Sequence, residues 1–75
     1  MDAKYFVIHA DKFKDFRVRK VPDNAKLVIA FCLKDAEGWY AINIIQISRS
    51  EHNLIPMIRA CKELNTPKNE KIFLK

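Results

Sequence analysis

Two long apolar runs joined by a short polar loop constrain the fold of this chain more than any other feature. The runs cover residues 25–33 and 39–48 and are rich in β-branched and aromatic side chains. Residues 35–38 lie between them and end at the chain's only glycine, Gly38. A four-residue loop with a glycine available for positive φ is typical of a hairpin built on a type I turn. The sequence therefore predicts a β-hairpin centred on this loop.

A single amphipathic helix is predicted after the hairpin, over residues 54–64. Two start signals compete, because residues 48–51 (SRSE) fit a capping box and Asn53 fits an N-cap. Pro56 decides between them, since inside a helix it costs about 3 kcal/mol, whereas in the first turn its missing N–H loses no bond. The apolar positions that follow helical spacing are Leu54, Met57, Ile58, Cys61 and Leu64.

Three further strands complete the predicted sheet. Residues 4–10 form a β-branched and aromatic run, and residues 70–75 form a short strand at an edge. Apolar and basic side chains alternate over residues 16–21, which predicts a strand with a basic outer face. The order along the chain is then β-β-β-β-α-β within one compact domain of residues 1–75. The expected class is α+β, a small antiparallel sheet with one amphipathic helix packed on one face.

The predicted hairpin is apolar on both faces, and one helix covers only one of them. If Lys34 pairs with Trp39, the face under the helix (the helix face) is formed by the pairs Leu33 and Tyr40, Phe31 and Ile42, Ile29 and Ile44, and Leu27 and Gln46. The opposite face (the reverse face) carries Val28, Ala30, Cys32, Ala41, Ile45 and Ile47, interrupted by Asn43. Closing it by curling needs bulges, normally at glycine, and the chain offers only Gly38. We therefore expect a second copy of the chain, as a homodimer, or a target protein to cover the reverse face.

The residues that usually carry catalysis or bind metals are few and badly spaced. Cys32 and Cys61 lie in apolar segments, which predicts reduced, buried thiols in a cytosolic protein. Neither cysteine lies at metal-binding spacing from His9 or His52, and a nucleophile pair of Cys61 with His52 needs the loop before the helix to fold back. One glycine cannot build a phosphate-cradling loop, and no run is long enough for a signal peptide or a membrane span. We expect no metal, no cofactor, no catalytic residue and no membrane contact.

Most of the chain's excess positive charge is concentrated in one stretch. The formal net charge is +5, and residues 12–26 hold six basic and two acidic side chains. Phe13 and Phe16 are interleaved with the cations, a pattern found where bases stack between groups that neutralise phosphates. Two alternatives are docking on an acidic protein surface and simple protection of an edge strand from unwanted pairing. The nine acidic residues and the lack of an RNA-recognition signature favour a protein partner over nucleic acid.

The leading hypothesis is a small non-enzymatic binding protein of the cytoplasm that docks on an acidic protein surface. An inhibitor or adaptor of viral or mobile-element type suits such a compact basic chain. The alternative is an RNA- or DNA-binding module that uses the same basic row. Trp39 is a candidate contact anchor, although packing under a loop also explains it. The predicted partner-binding residues are Lys12, Lys14, Arg17, Arg19, Lys20, Trp39 and Arg49.

Overall fold

A three-stranded antiparallel sheet and one helix make up the computed structural model, which describes residues 2–66. The predicted α+β class is confirmed. The predicted strand at residues 70–75 lies outside the described residues. The strands, in the sheet order β1-β2-β3, are β1 (Ala3–His9), β2 (Leu27–Asp35) and β3 (Gly38–Ser48), and the helix is α1 (Leu54–Leu64), with single 3-10 turns at Ala10–Lys12 and Glu51–Asn53.

The predicted strand at residues 16–21 is wrong, because this segment folds as a series of turns. Arg17 and Lys20 have φ angles of 50° and 59°, in the left-handed region that a strand does not use. Local bonds replace a strand ladder: the Phe16 N–H donates to the Lys12 carbonyl at 3.1 Å and the Val18 N–H to the Phe13 carbonyl at 2.9 Å. We call residues 13–26, which connect the first 3-10 turn to β2, the cover loop.

The cover loop closes the reverse face of the sheet. Val28, Ala30 and Cys32 of β2 are fully buried there, at 0% exposure. The expectation that a partner or a second copy must cover this face is therefore wrong for β2, since the chain uses the alternating segment as a lid instead of a strand. The side chains packed over these buried residues come from the cover loop (Phe13, Phe16, Val18 and Val21) and from the strands (Phe6, Trp39, Ala41 and Ile44).

The helix face holds the second half of the core. Helix α1 begins at Leu54, as predicted, and Pro56 lies in its first turn. Its buried residues Met57 and Cys61 pack on the sheet, so the amphipathic helix covers the face that the sequence assigned to it. The sheet residues that complete this cluster are Tyr5, Leu27 and Ile29, with Val7 and Phe31 partly buried beside them.

Neither of the two predicted start signals caps α1 in the expected way. Ser50 caps the 3-10 turn before α1, because its side chain accepts a hydrogen bond from the His52 N–H at 3.2 Å. Asn53 makes no side-chain cap to α1. Its Nδ2 instead donates to the Oγ of buried Ser48 at 2.8 Å, which ties the end of β3 to the start of the helix.

The hairpin register departs from the predicted one beyond its first two pairs. Lys34 lies opposite Trp39 and Leu33 opposite Tyr40, as predicted. Two register irregularities then follow in β3, although no glycine is present at either. The remaining predicted pairs are wrong, because Phe31 lies opposite Asn43, Ile29 opposite Gln46 and Leu27 opposite Ser48.

The two bulges change the faces on which the isoleucines of β3 lie. Ile42 and Ile45 are the extra residues, with no partner on β2. Ile44, predicted on the helix face, lies opposite Ala30 and packs into the reverse-face cluster. The bulges thus curl β3 toward the cover loop and leave Ile42 and Ile45 exposed.

Candidate partner-binding edge

The outer edge of β3 is half covered and half open. At the turn end, the Ala41 N–H donates to the Phe16 carbonyl of the cover loop at 2.9 Å, and the Arg17 side chain donates to the Gly38 carbonyl at 3.2 Å. Beyond Ala41, no backbone hydrogen bond from residues 2–66 reaches the outer side of residues 42–47. We call residues 42–47 the open edge.

Three large aliphatic side chains of the open edge are exposed to solvent. Ile42 is 50% exposed, Ile45 is 44% exposed and Ile47 is 38% exposed. They are three of the five large hydrophobic residues that are exposed within the described part of the chain, and they fall within six consecutive positions. A single exposed isoleucine is ordinary, but a row of three on an unpaired strand marks a surface suited to a partner.

Two cations flank the open edge. Arg19 and Lys20 of the cover loop line an open groove of about 470 Å³ together with residues 41–44 of β3. Both side chains belong to exposed residues, and neither forms an ion pair with another residue of the 2–66 region. As far as residues 2–66 are concerned, the groove therefore combines apolar surface, backbone without a strand neighbour and two positive charges without an ion pair.

The opposite edge of the sheet is closed by a side chain. Asn65, which follows α1, accepts a hydrogen bond from the Tyr5 N–H at 2.8 Å through Oδ1. Its Nδ2 donates to the Tyr5 carbonyl at 2.9 Å. This amide thus makes the same two hydrogen bonds to β1 that a neighbouring strand makes, and it blocks strand pairing at that position.

Arg17 is held at the hairpin turn. Its guanidinium lies 2.8 Å from Asp35 and 3.3 Å from Glu37, and it stacks 4.8 Å from the ring centroid of Tyr40. The hydrogen bond from Arg17 lowers the pKa of Asp35 below its ordinary value, and the same bond raises the pKa of Arg17. Of all the predicted contact residues, Arg17 is therefore the one whose charge the chain itself offsets most.

The other predicted basic residues lie away from the lining of the groove. Lys12 is 3.9 Å from Asp15 in an exposed ion pair, and Lys14 is exposed in the same turn. The Arg49 side chain donates to the Asp23 carbonyl at 3.4 Å. Among the seven predicted contact residues, the structure brings only Arg19 and Lys20 together in the groove.

The aromatic residues of the basic stretch are turned toward the interior. Phe16 lies 5.1 Å from the ring of Phe6, and Trp39 lies 4.9 Å from the same ring in an edge-on arrangement. Phe13 is also half-buried in the reverse-face cluster. These partly buried rings pack against the reverse-face cluster.

The exposed isoleucines are the functional candidates that the sequence placed elsewhere. Simple alternation puts Ile42 under the helix and puts Ile45 and Ile47 on the reverse face, which the sequence reading left for a partner to cover. One signal of the bulges is present in the sequence: Ile44 and Ile45 are adjacent, so a regular strand cannot bury both on one side. The second signal appears only with the structure, in which the nine residues of β2 pair with nine of the eleven residues of β3.

The predicted buried thiols are confirmed. Cys32 and Cys61 are both buried and form no disulfide with each other. Burial raises the pKa of Cys61 and raises that of Cys32 to about 11, so both thiols are protonated near neutral pH. Among residues 2–66 no group of three His, Cys, Asp or Glu side chains is placed to hold a metal ion. Nor does this part of the chain contain a helix of sufficient length and apolarity to span a membrane.

No family model, curated protein or solved structure matches this chain. The open edge offers three exposed isoleucines and, within residues 2–66, a strand backbone without a neighbour on its outer side. One of these isoleucines, Ile42, lies in the same groove as Arg19 and Lys20.

Proposed function

We propose that this protein is a small non-enzymatic binding protein that docks on an acidic protein partner through the open edge. The observation that carries the proposal is the placement of Arg19 and Lys20 beside a strand with three exposed isoleucines. Acidic side chains of a partner would pair with the two cations, and apolar side chains would cover the isoleucines. Whether docking inhibits or recruits the partner depends on what else that partner binds.

Two observations favour a protein over a nucleic acid as the partner. Phe13, Phe16 and Trp39, which base stacking would require, pack against the protein interior. The apolar groups that remain at the groove are aliphatic and suit the side chains of a polypeptide better than the flat faces of bases.

The exposed surface supports binding of moderate strength. Full burial of one isoleucine contributes about 1.5–3 kcal/mol, so three side chains that are each roughly half exposed contribute on the order of 3 kcal/mol. The two cations add association rate and selection for acidic partners more than they add affinity. We expect binding that weakens as salt rises, because the cations are exposed and are screened over roughly 10 Å at physiological ionic strength.

Selection from a displayed library of random peptides tests the proposal directly. We expect the full-length protein to enrich peptides with net negative charge and apolar residues. The double substitution Arg19→Glu with Lys20→Glu should abolish this enrichment. The control is Lys12→Glu with Lys14→Glu, which changes the net charge equally at positions that do not line the groove. Equal loss with both variants would mean that overall charge, and not the groove, selects the peptides.

Titration with oligonucleotides tests the alternative function. Single-stranded and duplex oligonucleotides are added to the protein at about 50 and 200 mM salt. We expect no saturable binding at the higher salt concentration. Submicromolar binding with a steep dependence on salt would instead identify a nucleic-acid partner and overturn the proposed function.

A further inference from the structure

Building on the proposed function, we infer that the open edge takes up a short, extended acidic segment of its partner as a fourth strand of the sheet. In this mode of recognition, backbone hydrogen bonds to an exposed edge hold the peptide, and side chains at alternate positions provide selectivity. The backbone, the side chains and the charges of the open edge all support the addition of a strand.

The backbone of β3 faces outward at defined positions. The Lys34 N–H donates to the Asp2 carbonyl at 3.2 Å, on the β1 side of β2. The even-numbered residues of β2 therefore form their backbone hydrogen bonds with β1. The β3 residues that lie opposite them direct their backbone N–H and C=O groups toward the outer side of the sheet. Ala41, opposite Cys32, behaves in this way, since its N–H is bonded to the cover loop.

The same register makes two more positions available to a partner. Ile44 lies opposite Ala30 and Ile47 lies opposite Val28, so both direct their backbone groups outward. The Ala41 N–H donates to the Phe16 carbonyl, which shows that the outer side of β3 donates a strand-like hydrogen bond. A peptide that forms backbone hydrogen bonds with Ile44 and Ile47 would extend, along the open edge, the row of hydrogen bonds that begins with the bond between Ala41 and the cover loop.

Charge selects the occupant. Arg19 and Lys20 line the groove beside residues 41–44, and no acidic residue is among its lining residues. Carboxylates at alternate positions of an extended peptide would lie on the side of these cations, while the intervening apolar side chains would contact the exposed isoleucines. The complementary sequence is therefore one in which acidic and apolar residues alternate.

A second copy of this chain fits the open edge poorly. Two-fold pairing of β3 with β3 would bring the Arg19 and Lys20 pairs of both chains to one interface, and like charges across paired strands are destabilising. The bulges at Ile42 and Ile45 also interrupt the ladder, so two long strands find no continuous register. A short peptide needs only the outward groups of Ile44 and Ile47.

The test uses a capped hexapeptide in which aspartate or glutamate alternates with valine. Isothermal titration to the full-length protein should give saturable binding, and amide hydrogen exchange at Ile44 and Ile47 should slow in the complex. Methylating the peptide nitrogens that face β3 removes the backbone donors without changing the charge. We expect this change to weaken binding at least about tenfold, which corresponds to about 1.4 kcal/mol.

Two control peptides separate the outcomes. A peptide with lysine in place of each acidic residue should not bind, and equal binding of this peptide would refute the role of charge. If the N-methylated acidic peptide binds as well as its parent, strand addition is overturned while the proposed acidic docking stands. If no acidic peptide binds, the proposed function itself fails. Light scattering that shows a dimer blocked by Arg19→Glu would assign the open edge to a second copy.

Discussion

Replacing Asn65 with alanine should destabilise the protein far more than its position at a helix end suggests. The Asn65 amide accepts from the Tyr5 N–H at 2.8 Å and donates to the Tyr5 carbonyl at 2.9 Å. These bonds join residues sixty positions apart and link the end of α1 to the edge of β1. Alanine removes both bonds and leaves two part-buried backbone groups without their partner.

The size of the effect follows from the two hydrogen bonds. Each contributes about 0.5–1.5 kcal/mol net, so Asn65→Ala should lower the free energy of unfolding by about 1–3 kcal/mol. In a domain of this length, about 2 kcal/mol corresponds to a fall in the melting temperature of roughly 8–16 °C. Urea unfolding followed by Trp39 fluorescence measures the free energy of unfolding, and thermal unfolding followed by circular dichroism measures the melting temperature.

Two neighbouring variants show whether the amide itself is responsible. Asn65→Asp keeps the acceptor for the Tyr5 N–H but replaces the donor, so it should also destabilise. Thr66→Ala removes a side-chain bond to the Glu63 carbonyl at an exposed site and should change stability by less than about 0.5 kcal/mol. If Asn65→Ala unfolds at the same urea concentration as Thr66→Ala, the inferred link between α1 and β1 contributes nothing to stability.

Four further predictions concern the hairpin turn, the end of β3 and a buried thiol. Arg17→Glu should lower the melting temperature, because it adds a third carboxylate to the turn, whereas Arg19→Glu should leave it nearly unchanged; equal effects would contradict the contacts seen at Arg17. The pKa of Asp35 is lowered in the folded state, so its ionised carboxylate stabilises the fold fully above the unfolded-state pKa. This stabilisation is lost as pH falls through the folded-state pKa. Acid should therefore destabilise the native protein more than it destabilises the Asp35→Asn variant. Ser48 is only 6% exposed, and its hydroxyl forms three hydrogen bonds. Ser48→Ala should therefore lower the free energy of unfolding, measured with urea, by about 1–3 kcal/mol. Burial raises the pKa of Cys32 to about 11, so the buried thiol contributes its full stabilisation at pH values below its unfolded-state pKa. This stabilisation decreases as pH rises from the unfolded-state pKa to about 11. A melting temperature that stays constant over this pH range would exclude a link between stability and the ionisation of Cys32.

Local rules predicted the elements that local chemistry determines. The position of Pro56 was enough to predict which of two helix starts is used, and α1 begins at Leu54, which places Pro56 in the first turn, where proline is tolerated. Gly38 adopts a φ of 118°, which other residues rarely take. The turn lies where the sequence predicted it, but Gly38 pairs with Asp35, so the loop between the strands has two residues and not the predicted four. The first pairs of the hairpin follow from that turn, because loop length sets the register beside it.

The cover loop could not be recognised from its pattern. Alternating apolar and basic side chains satisfy a strand and also satisfy an irregular segment that lies across a sheet with its apolar groups downward. The left-handed φ angles of Arg17 and Lys20 distinguish the two, but neither residue type signals that conformation as glycine or asparagine does. Tertiary packing against Val28 and Cys32 determines the choice.

The sequence predicted the charges of the candidate site but only part of its apolar surface, because Ile45 and Ile47 were placed on a face open to a partner whereas Ile42 was placed under the helix. Arg19 and Lys20 follow from the density of cations in one stretch, which composition shows directly. The exposure of Ile42 and Ile45 depends on two bulges that have no glycine to announce them. They arise because Ile44 is drawn onto the reverse face beside Ala30, a contact that only the folded sheet defines.

The same features that invite an acidic strand also protect the protein from its own copies. An unpaired strand with exposed isoleucines is an aggregation hazard, and proteins commonly protect such edges with cations and bulges. Here Asn65 forms hydrogen bonds with the β1 edge, and Phe16 forms one with the turn end of β3. The cations and the bulges therefore both lie at the open edge, which these bonds leave uncovered. On the proposed function, the sign of the charge makes the distinction, since Arg19 and Lys20 repel a second basic chain and attract an acidic one.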